Sequence, residues 1–246
     1  FRAGPVLVLA TAIAAAALVP MGGAPGMVAF PGDALVVVSL FALARFAMVL
    51  AALDTGSAFE GMGASREMLF GALTEPTAFM VLCVLTALTG QWSLSAVYSA
   101  VDASLWMRGA GEILLASAAL GVVFSAENAR IPFDDPATHL ELTMIHEVMV
   151  LDHSGPDLAF LEYAAALKMW VLGALVVGLL VPVRTGWVVV DGAVVAVGLL
   201  AFAVAVGWIE STLARFRMPR VPQMLVGATA LSALAMALLL ARGVRP

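Results

Sequence analysis

Seven apolar runs, near residues 5–19, 34–53, 68–89, 112–124, 158–181, 187–209 and 223–241, leave this chain few choices of fold. Most approach the roughly 20 residues that an α-helix needs to cross a hydrocarbon core. In lipid, every backbone N–H and C=O must be satisfied within the segment, so such runs fold as helices. Charged residues make up 12% of the 246, about half the share found in a soluble domain. The mean hydropathy is +1.05. The expected class is therefore an all-α, polytopic transmembrane helix bundle of about seven spans, forming one domain over 1–246.

Several function classes drop out at once. A net charge of −5 gives no footprint for nucleic acid. The one cysteine, Cys83, sits in an apolar run. It can anchor neither a disulfide framework nor a thiolate-held iron–sulfur or nickel centre. No internal repeat suggests the two halves of a secondary transporter.

Ionisable side chains at bilayer depth are costly, and they usually face a bundle interior or a water-filled path. Arg45, Glu75, Glu162 and Lys168 lie inside the apolar runs. Glu75 precedes Pro76, which removes a donor from the helix ladder and bends it. A carboxylate at such a bend fits an ion path; a static pair with Arg45 or Lys168 is the competing reading. Glu162 also suits an interfacial cap near a helix start.

The longest polar interruption runs from 125 to 155 and holds all three histidines. Glu127 and Arg130 are spaced to pair on a helix. Pro132 disfavours α geometry at Ile131. Asp134-Asp135-Pro136 reads as a turn, with Asp135 capping a helix over 136–151 that carries Glu141 and Glu147 along the membrane surface. His139, His146 and His153 recur every seven residues and would share a face of such a helix. They lack the i, i+4 spacing of a zinc site, so no metal set is expected. A proton-conducting stripe and histidines hydrogen-bonded at a protein interface both remain open, the second carrying more weight.

Elsewhere, 54–66 reads as a polar loop. Residues 91–111, with Trp92, Tyr98 and Trp106, read as an interfacial stretch rather than a span. Alternation of spans puts the loops at 54–66, 125–157 and 210–222 on one side. Arg2, Arg66, Arg130, Arg215, Arg217 and Arg220 fall there, against Arg108, Arg184, Arg242 and Arg245 on the other. The positive-inside rule then makes the polar face cytoplasmic, in a cell inner membrane.

Glu127-Asn128-Ala129-Arg130-Ile131-Pro132-Phe133-Asp134 resembles the E-x-x-R-x-P-F-D loop of the H-type membrane subunits of respiratory complex I. The continuation DPATHLELTMIHEVMVLDHSG resembles the formate hydrogenlyase subunit 4 arm of that family, found in group 4 membrane-bound [NiFe] hydrogenases. The segment LDTGSAFEGMGASREM (53–68) looks like the same arm. RFRMPRVPQ (215–223) resembles the last basic loop of the whole family. In the complex I arm an L-x-E pattern follows the PFD; Asp135-Pro136 stands there instead, which argues against a quinone-reducing complex I. The family's first span, an eighth for this bundle, is expected before Phe1.

The resemblance implies a membrane anchor and coupling subunit, linking electron transfer in a peripheral arm to proton or sodium translocation. It implies hydrogenase-like large and small subunits and an iron–sulfur protein on the cytoplasmic side, with antiporter-like subunits in the membrane. Iron–sulfur clusters and the [NiFe] centre are expected in those partners; this chain is expected to bind no cofactor, and a quinone is not favoured. Glu75, Glu127, Arg130, Asp134, Asp135, Glu141 and Glu147 become the expected coupling residues, together with the in-span Lys168. Arg66, Arg217 and Arg220 are the expected contacts to the peripheral arm. A quinone-site membrane protein of complex I and a free-standing secondary transporter are the competing readings.

Overall fold

The computed structural model describes residues 1–22, 24–134, 145–213 and 220–243. Among these, eight α-helices and no strands appear: α1 (Ala3–Leu18), α2 (Asp33–Asp54), α3 (Ala58–Thr89), α4 (Leu94–Ala100), α5 (Ala103–Glu127), α6 (Pro156–Leu180), α7 (Val188–Thr212) and α8 (Arg220–Ala241). A single 3-10 turn, Glu147–Val150, precedes α6. Helices α2, α3, α5, α6, α7 and α8 are long and apolar enough to cross a membrane, and α1 is a shorter apolar helix. The chain is a multi-pass, all-α membrane protein.

The helices α3, α5 and α8 pack on one another, while α1 lies against α2 and α6. The largest buried cluster joins these groups through Phe41, Val84, Leu85, Ile113, Leu120 and Val171. Helix α7 rests on α6 alone among the closely packed pairs, and only Asp191 and Val195 of it are buried.

Two ends can be told apart by their polar contacts. At one, Asp33 accepts from Ser93 Oγ (2.9 Å) and from the Leu94 amide, tying α2 to α4. The Tyr98 hydroxyl and the Trp106 indole donate to carbonyls of α6, Leu175 and Leu179. Arg184 spreads over the carbonyls of Tyr98 and Gly178. At the other end Phe1 lies beside Asp54, its ring stacks on His153, and Arg130 pairs with Glu210 at 3.5 Å. Arg130, His153 and Glu210, from two of the segments read as polar loops, and Asp54, from the third, therefore lie at one end.

Three local expectations change. The 54–66 stretch is not a loop: after a turn at Gly56 (φ 71°), α3 begins at Ala58 and runs for 32 residues. One face of its first turns, Glu60, Gly63 and Ala64, is buried, with Gly63 letting the backbone and side chains of Ile145–Met149 approach closely. Pro76 sits inside this helix without ending it. Second, the 112–124 span starts earlier, at Ala103, because Asp102 caps it by accepting from the Leu105 amide at 2.7 Å. An irregular turn at Gly109 joins the two parts. Trp92 is exposed, as an interfacial aromatic should be, but Tyr98 is buried. Third, no helix carries His146 and His153 together: residues 145–155 form turns around the 3-10 segment. Asp135, His139, Glu141, Arg215 and Arg217 lie outside the described residues.

Candidate functional site

Arg45 is the centre of the polar end's interior. It lies on α2 with its side chain 5% exposed. Its Nε meets Glu67 at 3.3 Å, and its two terminal nitrogens pair with Glu75 and Glu127. Glu67, Gly71 and Glu75 fall at i, i+4 and i+8 on α3, so they stack on one helix face. The middle position is glycine for a steric reason. A Cβ on Gly71 would stand 2.5 Å from Arg45 Nη1 and 2.7 Å from Cζ.

Glu127 ends α5 and meets two cations. Besides Arg45 it takes Thr74 Oγ1 at 2.7 Å and Lys168 Nζ of α6, also at 2.7 Å. Lys168 also lies 6.0 Å from the centre of the Phe41 ring. Four helices thus contribute to one network of three carboxylates and two cations. With all five ionised, it carries one uncompensated negative charge. A buried network of this sort stabilises little against an apolar core, yet is costly to break at one member.

The network divides two cavities. A polar one of about 230 Å³ is lined by Arg45, Glu67, Glu127, Arg130, His146 and Lys168, with Val8, Met48 and Leu161 as apolar wall. An apolar one of about 50 Å³ starts at Arg45, Glu75 and Glu127 and reaches Leu94 and Tyr98 near the opposite end. Glu75, with its side chain 34% exposed, stands at the mouth of the second.

The 128–134 loop closes the polar cavity. It has Ala129 at φ 49° and a cis Ile131-Pro132 bond. Phe133 packs on Val221 and Leu225 of α8. Asp134 accepts from the Ile145 amide at 3.1 Å, clipping the loop to the turn before the 3-10 segment. Arg130 reaches Glu210 and the Met169 sulfur. A neighbouring pocket of about 170 Å³ brings Arg130, Asp134, His146, Glu147 and Glu162 together. Removal from water holds the His146 imidazole below its ordinary range; Glu67, Asp134 and Glu162 oppose this, while Lys168 adds to it.

Of the expected coupling residues, Glu75 and Glu127 converge on Arg45, Lys168 joins through Glu127, and Arg130, Asp134 and Glu147 line the adjoining pocket. Arg66 contacts the Met62 sulfur on the polar end of α3, and exposed Arg220 opens α8. Glu67 and Thr74 are added by the structure. Glu67 falls between the stretch read as loop, 54–66, and the apolar run that starts at 68; the i, i+4, i+8 pattern around Gly71 is the signal that exposes it. Among the described residues, no three His, Cys, Asp or Glu side chains converge as metal ligands.

Comparison with known proteins agrees with this architecture. The chain is similar to hydrogenase-4 component C of Escherichia coli (strain K12), at 31% identity over 182 residues, 74% of this chain and 56% of that protein. It thus spans little more than half the length of that relative. It is similar to formate hydrogenlyase subunit 4 of the same organism, at 26% identity over 230 residues, 91% of this chain and 73% of the relative. Its fold matches a chain in the membrane-bound sulfane sulfur reductase, an archaeal respiratory membrane complex, with a TM-score of 0.80, 17% identity, and coverage of 96% and 78%. The sequence pattern of the NADH dehydrogenase family matches residues 1–241, and the chain belongs to that family.

Proposed function

We propose that this chain is the membrane anchor and coupling subunit of a hydrogenase-type, complex I-related oxidoreductase complex. Its polar end receives a peripheral redox arm on the cytoplasmic side, and its buried ion network passes the consequence of electron transfer to proton or sodium movement. The redox centres, iron–sulfur clusters and a [NiFe] site, belong to partner subunits. Arg66, Arg217 and Arg220 are its contacts to the arm in this reading, and antiporter-like subunits are its neighbours in the membrane.

One observation carries the reading: the Arg45 network stands between a polar cavity and an apolar one, with three acids against two bases. The unmatched negative charge gives a proton or a small cation a resting place at the boundary. A change at the polar cavity alters which acid is charged, because the five groups share partners. The similarity to hydrogenase-4 component C and formate hydrogenlyase subunit 4 supplies the chemical context.

The test is made on the intact complex in sealed vesicles. Glu75→Gln and Glu127→Gln should lose ion uptake while keeping most hydrogen evolution. Unchanged uptake in both variants removes the network from the path. A second reading, quinone reduction, is favoured by the apolar lining of Met48, Met149 and Leu161 in the cavity that Arg45 also lines. Turnover of a quinone analogue by the purified complex, without hydrogen evolution, would establish it instead.

A further inference from the structure

We infer, on the reading of this chain as one subunit of a membrane complex, that the seam between α2 and α3 is the docking face for a transmembrane helix of a neighbouring subunit. That helix presents a hydrogen-bond-donating side chain to Glu75. Counted from the Thr89 end of α3 at about 1.5 Å per residue, Glu75 lies about 21 Å into the bundle. That end is at a membrane surface, beside the exposed Trp92. Glu75 is therefore at hydrocarbon depth, yet its side chain is 34% exposed. Its one hydrogen-bond partner among the described residues is Arg45, which takes Oε1.

The exposure is lateral. The apolar cavity beneath the Arg45 network is lined by Val38 and Ala42 of α2 and by Ala78 and Leu82 of α3, all four only partly buried. The cavity thus opens through the seam, where the small side chains of Ala42 and Ala78 leave a gap. Phe46 lies one turn after Ala42 and Ala72 one turn before Glu75, and both are exposed. Ionisable groups at bilayer depth face protein or water, because acyl chains offer them no hydrogen bond. An acceptor showing on the outside of the bundle at this depth needs a donor opposite it.

Helix α7 shows what a lipid-facing surface of this chain looks like. Trp187 and Trp208, both exposed, stand near its two ends. At about 1.5 Å per residue their spacing matches the roughly 30 Å of a hydrocarbon core, as interfacial anchors require. Between them the one ionisable side chain is Asp191, which is buried and accepts from Thr185 and Gly186. Lipid satisfies that face. At the α2–α3 seam lipid would leave Glu75 without a donor, so the occupant there is protein. A second copy of this chain meeting the first through the same face would set carboxyl against carboxyl. The fitting partner is therefore a different subunit, with a donor at the level of Glu75 and apolar side chains above Ala42 and Ala78.

The experiment replaces Phe46 or Ala72, and for comparison Val197 or Val204 of α7, by photoreactive benzoylphenylalanine. Each is made in the full chain, within the intact complex in native membranes. After irradiation the adducts are mapped by mass spectrometry. The probes at 46 and 72 should join one transmembrane segment of another subunit, with a donor side chain within a helical turn of the joined residue. Replacing that donor by leucine should lose the adducts. The probes at 197 and 204 should join lipid. Ala72→Trp adds bulk at an exposed position, so it should lose the neighbouring subunit during purification, whereas Val197→Trp should keep it. Lipid adducts alone at 46 and 72, a joined second copy of this chain, or a joined segment without a donor overturns the proposal. So does an Ala72→Trp complex that keeps its neighbour. The ion path fails separately, on uptake by the Glu75→Gln and Glu127→Gln complexes, whatever the adducts show.

Discussion

The guanidinium of Arg45 lies against the α-carbon of Gly71, on the face of α3 that carries Glu67 one turn before and Glu75 one turn after. The glycine is a requirement of this packing rather than a point of flexibility. Gly71→Ala places a methyl where Arg45 now sits, so the arginine must leave its three partners. Overpacking of this kind costs about 1–3 kcal/mol. Thermal unfolding of the detergent-solubilised protein should show that loss, while Gly61→Ala, whose Cβ meets only a Leu53 methyl 4.0 Å away, should be close to neutral.

Removing Arg45 altogether has a different signature. Arg45→Met leaves Glu67, Glu75 and Glu127 without their shared partner, with Lys168 still on Glu127. Breaking a buried ion network at one partner costs about 3–5 kcal/mol. Adding Glu127→Gln to Arg45→Met should recover part of it, because one buried carboxylate is then neutral. Melting temperatures of the two variants, measured side by side, check the order.

The polar end should respond to acid through His146. Its folded-state affinity for a proton is depressed, chiefly by burial. The stabilisation this gives is present above the ordinary imidazole value of about 6.5 and is lost as the pH falls through that value towards the folded one. The protection of amides across residues 145–153 against hydrogen exchange, referred to the intrinsic rate at each pH, should therefore fall below about pH 6.5. His146→Asn should flatten that dependence without changing exchange in α4.

Changes at the opposite end should weaken the bundle without touching the network. Tyr98→Phe removes the hydroxyl that donates to the Leu175 carbonyl at 2.8 Å. A buried hydrogen bond contributes about 0.5–1.5 kcal/mol. The melting temperature should fall by that equivalent, with ion uptake by the intact complex unchanged. Loss of uptake here would extend the functional path along the apolar cavity to Tyr98.

The helices α2, α6, α7 and α8 were readable to within a few residues because lipid imposes one pattern on them: an unbroken apolar run bounded by polar residues. The early turns of α3 and α5 were not readable that way. Glu60, Gly63 and Ala64 are buried under the 145–150 turn, a contact between distant parts of the chain, and Trp106 belongs to a helix because its indole finds the Leu179 carbonyl. Within the site, Arg45, Glu75 and Lys168 stood out as charges in oily surroundings. Glu67 and Thr74 did not, since a carboxylate beside a polar stretch and a threonine in a span are both ordinary. Glu112 looked like the start of a span, and only the earlier beginning of α5 reveals it as buried.

The length of α3 has a mechanical consequence. At about 1.5 Å per residue, its 32 residues form a rod near 48 Å long, well beyond the hydrocarbon thickness. Its overhang is gripped by the 145–150 turn, and both Glu67 and Glu75 ride on the same shaft. Any force that a docked protein put on that overhang would therefore be shared by both acids, because they stand on one helix.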